Sequence, residues 1–222
     1  MRSHHIVQRQ RLRCKCIGTW EEWSLPRQVD YEERRLRIAE AVCALIARSG
    51  MEAVSLRDVA TEADVSMGAV QRCFHTKEDM LLFALEHVSQ RVSERAAQRI
   101  AAASTPQAAS TLLSHTLAEL ALLDEASKTQ AHVWLAFVSR APAGERLPAV
   151  LRDTYGKLHD LIVWLVRYGQ DTQEIPEHLD AVQEAHTLLA VADGLTVHVL
   201  AGHHSPEVAL AVLQRHVDHL LQ

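Results

Sequence analysis

Residues 55–74, SLRDVATEADVSMGAVQRCF, carry the clearest structural punctuation in the 222-residue chain. Ser55 is a good helix N-cap, with Asp58 three residues on. Leu56, Val59, Ala60 and Ala63 recur at helical spacing and give this helix one apolar face. Ala63-Asp64-Val65 turns the chain. Ser66 caps a second helix, Met67 to Phe74, whose inward positions are Val70 and Phe74. Two helices of about eight residues across a short turn have the proportions of a helix-turn-helix. Small Ala60 sits where the two press closest.

The outward positions of the second helix are Met67, Gly68, Ala69, Gln71, Arg72 and His75. Small residues at 68 and 69 let the backbone approach a phosphate or a base edge. The Gln71 amide can pair with adenine, and Arg72 can reach guanine or phosphate. Capped helix starts at Ser55, Ser66 and Thr76 present N–H groups suited to phosphate. Double-stranded DNA is therefore the expected partner, with Arg57 and Lys77 beside these residues. The plainer alternative is a helical hairpin with ordinary caps.

Working outward, helical spacing continues in both directions. Asp30 with Glu33 reads as a capping box opening a helix through Ile38, Ala41, Val42, Leu45 and Ile46, and Gly50 stops it. Thr76 opens a long helix through Met80, Leu81, Ala84, Val88 and Val92 toward Ile100. Thr105-Pro106 opens a helix to about residue 123. Further helices are expected over 126–139, 145–168 (stopped by Gly169), 178–201 and 205–221, about nine in all. No strand or internal repeat is apparent. The fold class is all-α: an N-terminal three-helix helix-turn-helix domain and a C-terminal helical bundle.

Composition agrees. Gly (8) and Pro (6) are too few for a turn-rich β domain. Residues 1–100 carry 16 Lys+Arg against 14 Asp+Glu, and residues 101–222 carry 7 against 14. The basic-leaning half is the half that can meet a polyanion. Cys14, Cys16, Cys43 and Cys73 form no disulfide framework. No segment is long and apolar enough to span a membrane, so a soluble cytoplasmic protein is expected. Residues 1–28 show no periodicity and read as a disordered basic tail. The tail is either a minor-groove arm or an artefact of a start placed upstream of Leu25. Its Cys14-x-Cys16 pair with His4 and His5 is weak evidence for metal.

Residues 32–92 also resemble the DNA-binding domain of the TetR family of transcriptional regulators. The similarity lies in Ile38-Ala39-Glu40-Ala41, Ser49 to Ala60, Ala63 to Val70, and Phe74-His75-Thr76-Lys77-Glu78-Asp79-Met80-Leu81. It runs without a gap. Residues 93–222 more loosely resemble the BetI-related subgroup. The resemblance implies a homodimeric repressor: three N-terminal helices bind a pseudo-palindromic operator, and the C-terminal domain dimerises and binds an inducer. It implies that Lys77 meets phosphate. The family usually has tyrosine at the position of Gln71, and often histidine or tyrosine at that of Cys73. Cys73 reads as structural, since a redox switch needs a depressed thiol pKa.

In the second domain, Trp134, Phe137, Tyr155, Trp164 and Tyr168, with Phe83 and His87 on the fourth helix, are pocket candidates, against a plain reading as core. His132, His186 and His198 read more readily as core histidines. Asp193 lies in an apolar helix and needs a partner if buried. Positive residues are sparse there, so an apolar or cationic inducer is expected. Apolar residues of helices 178–201 and 205–221 exceed one core stripe: Leu188, Leu189, Val191, Leu195, Val199, Leu200, then Val208, Leu210, Val212, Leu213, Val217, Leu220. They are expected to form a homodimer interface. No nucleotide loop, nucleophile elbow or Glu-x-x-His pair is present, so no enzyme, cofactor or metal site is expected. His216 and His219 read as an exposed helix face. The competing function class is a protein-interaction module whose helix-turn-helix no longer binds DNA.

Overall fold

The computed structural model describes residues 26–124, 127–140 and 146–222. Among these residues there are nine α-helices and no strand. The order is α1 (Pro26–Ser49), a 3₁₀ turn (Met51–Ala53), α2 (Leu56–Glu62), α3 (Met67–Cys73), α4 (Lys77–Ala102), α5 (Ala109–Leu120), α6 (Lys128–Arg140), α7 (Leu147–Asp171), α8 (Ala181–Leu200) and α9 (Pro206–Leu220). The expected all-α architecture is what forms. Residues 1–25, with the arm and start-site readings, lie outside the described residues.

Several helix ends differ from the sequence reading, and three of them have a clear physical reason. The first helix starts at Pro26, so residues 26–28 are helical rather than tail. Proline is tolerated in a first turn, and nothing between it and Asp30 breaks the helix. Asp30 is thus no cap; its carboxylate pairs with Arg34 one turn on, at 2.9 Å.

Thr105-Pro106 lies in a turn before α5 rather than at its start. The helix begins after Ala108, which has no capping side chain. Glu174 supplies the cap from 65 residues away. Its carboxylate accepts from the N–H of Ala109 (2.9 Å) and Ser110 (3.1 Å). A negative group at a helix start also opposes the positive end of the helix dipole.

Gly169 does not stop α7; it lies inside the helix, buried. A Cβ there would sit 2.6 Å from Ile175 Cδ1 and 3.1 Å from the Ala109 Cβ, so this glycine serves close packing. The left-handed residue after the helix is Gln173, at φ 63°.

Two large apolar clusters make the core. One joins Ile38, Val42 and Ile46 of α1 to Val59, Val70, Phe74, Met80 and Leu85, and takes in Val133 and Phe137 of α6 and Leu147 and Leu151 of α7. The other packs Leu113 and Leu117 of α5 against Ile162 and Val166, Leu188 and Leu195, and Leu213 and Val217. The N-terminal head is thus seated on α6 and the start of α7. Polar clasps reinforce the seat. Arg146 bonds to Asp79 at 2.6 Å, and Arg140 pairs with Glu52.

Candidate nucleic-acid interface and ligand pocket

The local chemistry of the helix-turn-helix follows its caps. Ser55 Oγ accepts from the Asp58 N–H at 3.2 Å, Ser66 Oγ from the Ala69 N–H at 3.1 Å, and Thr76 Oγ1 from the Asp79 N–H at 3.0 Å. The turn takes a left-handed residue at Asp64 (φ 51°), a conformation Asp tolerates. Val65 then bonds back to the Ala60 carbonyl at 3.0 Å, which closes the angle between α2 and α3.

This leaves Ser55, Arg57, Ser66, Met67, Gln71, Arg72, His75 and Lys77 exposed, and Gly68 half-buried. Ala69 is the exception, since it is 6% exposed. It lies beside Val70 and Cys73 on the buried side of α3, because a short helix pressed between α1 and α2 has a wide inner face. The outward face of the second helix is therefore Met67, Gly68, Gln71, Arg72 and His75, with Lys77 at its edge, and this is the candidate reading face. Cys73 is also inward, and burial raises its thiol pKa against the pull of nearby arginines. That is the opposite of a poised redox thiol. Cys43 is pushed up to about 12, again by burial.

The aromatic candidates of the second domain divide. Trp134 and Tyr155 meet edge to face, ring centres 5.4 Å apart. They line a cavity of ≈ 90 Å³ with Asp193, Leu158 and Leu189, walled by Val88 and Val92 of α4. The Tyr155 hydroxyl donates to Asp193 Oδ2 at 2.7 Å. Burial raises the Asp193 pKa, while hydrogen bonds from Tyr155 and Trp134 oppose the rise. The Tyr155 phenol is raised by the same burial and by Asp193. Leu122, at φ 49°, closes the wall. A bulky residue held left-handed stores strain, of order 1–3 kcal/mol.

The other candidates lie elsewhere. Phe137 is core, at 1% exposure. Trp164 is 57% exposed and stacks on Tyr168, whose hydroxyl bonds the Gln107 carbonyl. Phe83 lies under the Arg35 guanidinium, 4.0 Å from its ring centre, in a separate groove at the head. His87 and His132 line a third cleft against α1, and burial lowers the His87 pKa. His186, expected in the core, is exposed and lies tilted against His159, ring centres 4.2 Å apart.

The sequence reading missed Glu119. Its side chain is 1% exposed between α4 and α5. Arg95 Nε donates to Oε2 at 2.7 Å. Arg99 Nε lies 2.6 Å from Oε1 but off the line of a hydrogen bond, so that contact is an ion pair only. Arg99 also holds Asp124 at 2.6 Å. The available signal was arginines at i and i+4 on α4 facing a lone acid in an apolar helix.

An all-α chain with an outward-facing helix-turn-helix and a pocket walled by the next long helix is a ligand-responsive DNA-binding regulator. The profile "Bacterial regulatory proteins, tetR family" matches residues 38–83, and "BetI-type transcriptional repressor, C-terminal" matches 109–222. The HTH-type transcriptional regulator PksA of Bacillus subtilis is 30% identical over 79% of this chain and 83% of its own. A transcriptional regulator from Rhodococcus sp. superimposes with a TM-score of 0.71 at 30% identity, covering 85% of this chain and 96% of that one. One from Saccharomonospora viridis, solved in complex with choline, gives 0.74 at 28% identity, covering 85% and 97%. The chain belongs to the TetR family of transcriptional regulators. No described helix is long and apolar enough to cross a membrane.

Proposed function

We propose that this regulator represses as a homodimer on a pseudo-palindromic operator, and that a compact apolar or cationic ligand in the Trp134–Tyr155–Asp193 pocket releases it. Residues 32–92 read DNA, while 93–222 bind ligand and dimerise. It acts in the cytoplasm and performs no catalysis. The observation that carries the reading is the path of α4. It starts at Lys77, on the edge of the reading face, and continues unbroken to Val88 and Val92 in the pocket wall. A ligand that prefers one setting of α4 thereby shifts DNA affinity; one with equal affinity for both settings would shift nothing.

A half-buried carboxylate beside two aromatic rings favours a cation. The choline bound by the Saccharomonospora relative is in keeping with that chemistry. For the dimer, Val197, Val208 and Val212 stay 43%, 49% and 44% exposed on α8 and α9. Leu188, Leu195, Leu213, Val217 and Leu220 are spent inside the chain's own core, so the contact uses fewer residues than the sequence suggested.

The test is a titration of the protein–DNA complex, on the DNA upstream of its own gene at stated salt, with choline, other quaternary ammonium ions and small anions. Release by cations, lost in Trp134→Ala with operator affinity intact, supports the reading. Release by anions alone overturns the pocket, and equal binding to every duplex overturns specific regulation. Light scattering that shows a monomer at micromolar concentration overturns the dimer.

A further inference from the structure

The geometry points to a second site, at the turn between α8 and α9, that takes a divalent transition metal ion through His198, His203 and His204. The backbone builds it. Gly202 adopts φ 71°, a left-handed conformation that turns the chain back on the helix it has just left. The N–H groups of His203 and His204 both reach the His198 carbonyl, at 2.9 and 3.3 Å. That reversal brings three imidazoles together, with ring centres 5.2 Å apart from His198 to each of the others and 4.3 Å apart between His203 and His204. One ring nitrogen from each lies within 4.8 Å of the other two. Their ring–ring contacts are with one another, and among the described residues no side-chain hydrogen bond or ion pair occupies those nitrogens.

Three neutral imidazoles suit zinc, nickel, copper or cobalt rather than magnesium or calcium, which prefer oxygen. Nitrogen ligands sit about 2.0–2.1 Å from zinc, so modest rotation of exposed rings closes the set. His198 and His203 face solvent, which leaves the fourth position for water. The ion joins the last turn of α8 to the residues leading into α9 and fixes that corner. The site lies apart from the Trp134 pocket and from the reading face, so its existence depends on neither.

The test uses the full chain, stripped with chelator and dialysed against Zn²⁺ and, separately, Co²⁺. One ion per chain is expected, with a Co²⁺ absorption spectrum of nitrogen and oxygen ligands and no thiolate charge-transfer band. The double variant His203→Gln, His204→Gln should weaken binding more than ~100-fold while retaining its helical circular dichroism, since two of three ligands are gone. Cys14→Ser with Cys16→Ser should leave binding unchanged. The inference is overturned by the absence of stoichiometric binding, by a double variant that binds like the parent, or by loss of the ion with the two cysteines.

Discussion

The head and the second domain are built on different terms. The core of the head, from α1 to the first half of α4, is built from apolar side chains such as Ile38, Val42, Val59, Val70, Phe74 and Met80, with the half-buried Arg35 guanidinium laid over the Phe74 and Phe83 rings at its edge. The buried polar side chains Thr116, Glu119, Ser127 and Thr196 all belong to the second domain. So does half-buried Asp193. The positive-φ residues differ in the same sense: Asp64 in the head suits its conformation, whereas Leu122 at the pocket does not. The short helices α2 and α3 of the head are each capped by a serine at their own start, so their placement is set locally. Buried charge and backbone strain give the second domain energetic terms that a bound molecule could change, in keeping with the proposed division of roles.

The hardest way to break this contrast is Glu119→Ala. It strands Arg95 and Arg99, whose second partner Asp124 serves only one of them. Loss of one partner from a buried pair costs about 3–5 kcal/mol, and urea unfolding should show a fall near the low end because both arginines are partly exposed. Next, Gln71→Ala should weaken a specific operator by roughly 1–3 kcal/mol per half-site if the amide reads a base, with no change in unfolding midpoint. Loss on all duplexes alike would make Gln71 a phosphate contact.

Asp193→Asn gives a signed pH effect. Burial raises the folded-state pKa of Asp193, so the ionised form costs stability. That cost is absent below its unfolded pKa and fully present once pH has risen past the folded pKa. The variant should therefore melt higher than the parent at neutral pH and converge with it in acid. Its response to cationic ligands should disappear. A parent that gains stability as pH rises through this range, after subtraction of the variant, would contradict the assignment. The smallest effect on stability is expected from Arg146→Ala. Its pairs with Asp79 and Glu78 are solvent-exposed, so melting should scarcely move. Ligand-driven release should nonetheless be blunted, because this clasp ties α7 to the start of α4; an unchanged dose response would remove it from the coupling path.

The legible parts were those fixed within a few residues. Ser55, Ser66 and Thr76 cap the helices they were expected to cap, and of the α3 positions expected to face outward only Ala69 is buried, where one more residue turns inward than a narrow stripe predicts. The illegible parts depend on distant partners. Nothing near Ala108 announces a cap that arrives from Glu174. Gly169 looks like a stop signal until Ile175 is seen against it. Pocket aromatics could not be told from core aromatics, because Trp134 and Phe137 lie about one helical turn apart on α6, yet Trp134 meets Tyr155 and Asp193 while Phe137 is buried against the head. His198 was read as a core histidine but is exposed, and His203 and His204 drew no notice, because the approach of the three depends on a reversal at Gly202 rather than on spacing along one helix.

The Glu174 cap has a further consequence for how the second domain holds together. The first turn of α5 has no means of its own to begin, and the carboxylate that starts it arrives only with the bend after α7. The domain is therefore not divisible in chain order: a fragment ending at Asp171 would contain all of α5 yet lack what orders its first turn. The same dependence makes the bend at 172–175 a remote control on α5. A change at Glu174 acts first on Ala109 and then along the helix toward Glu119 and Leu120, so a substitution well away from the pocket can alter the pocket's floor without touching any residue that lines it.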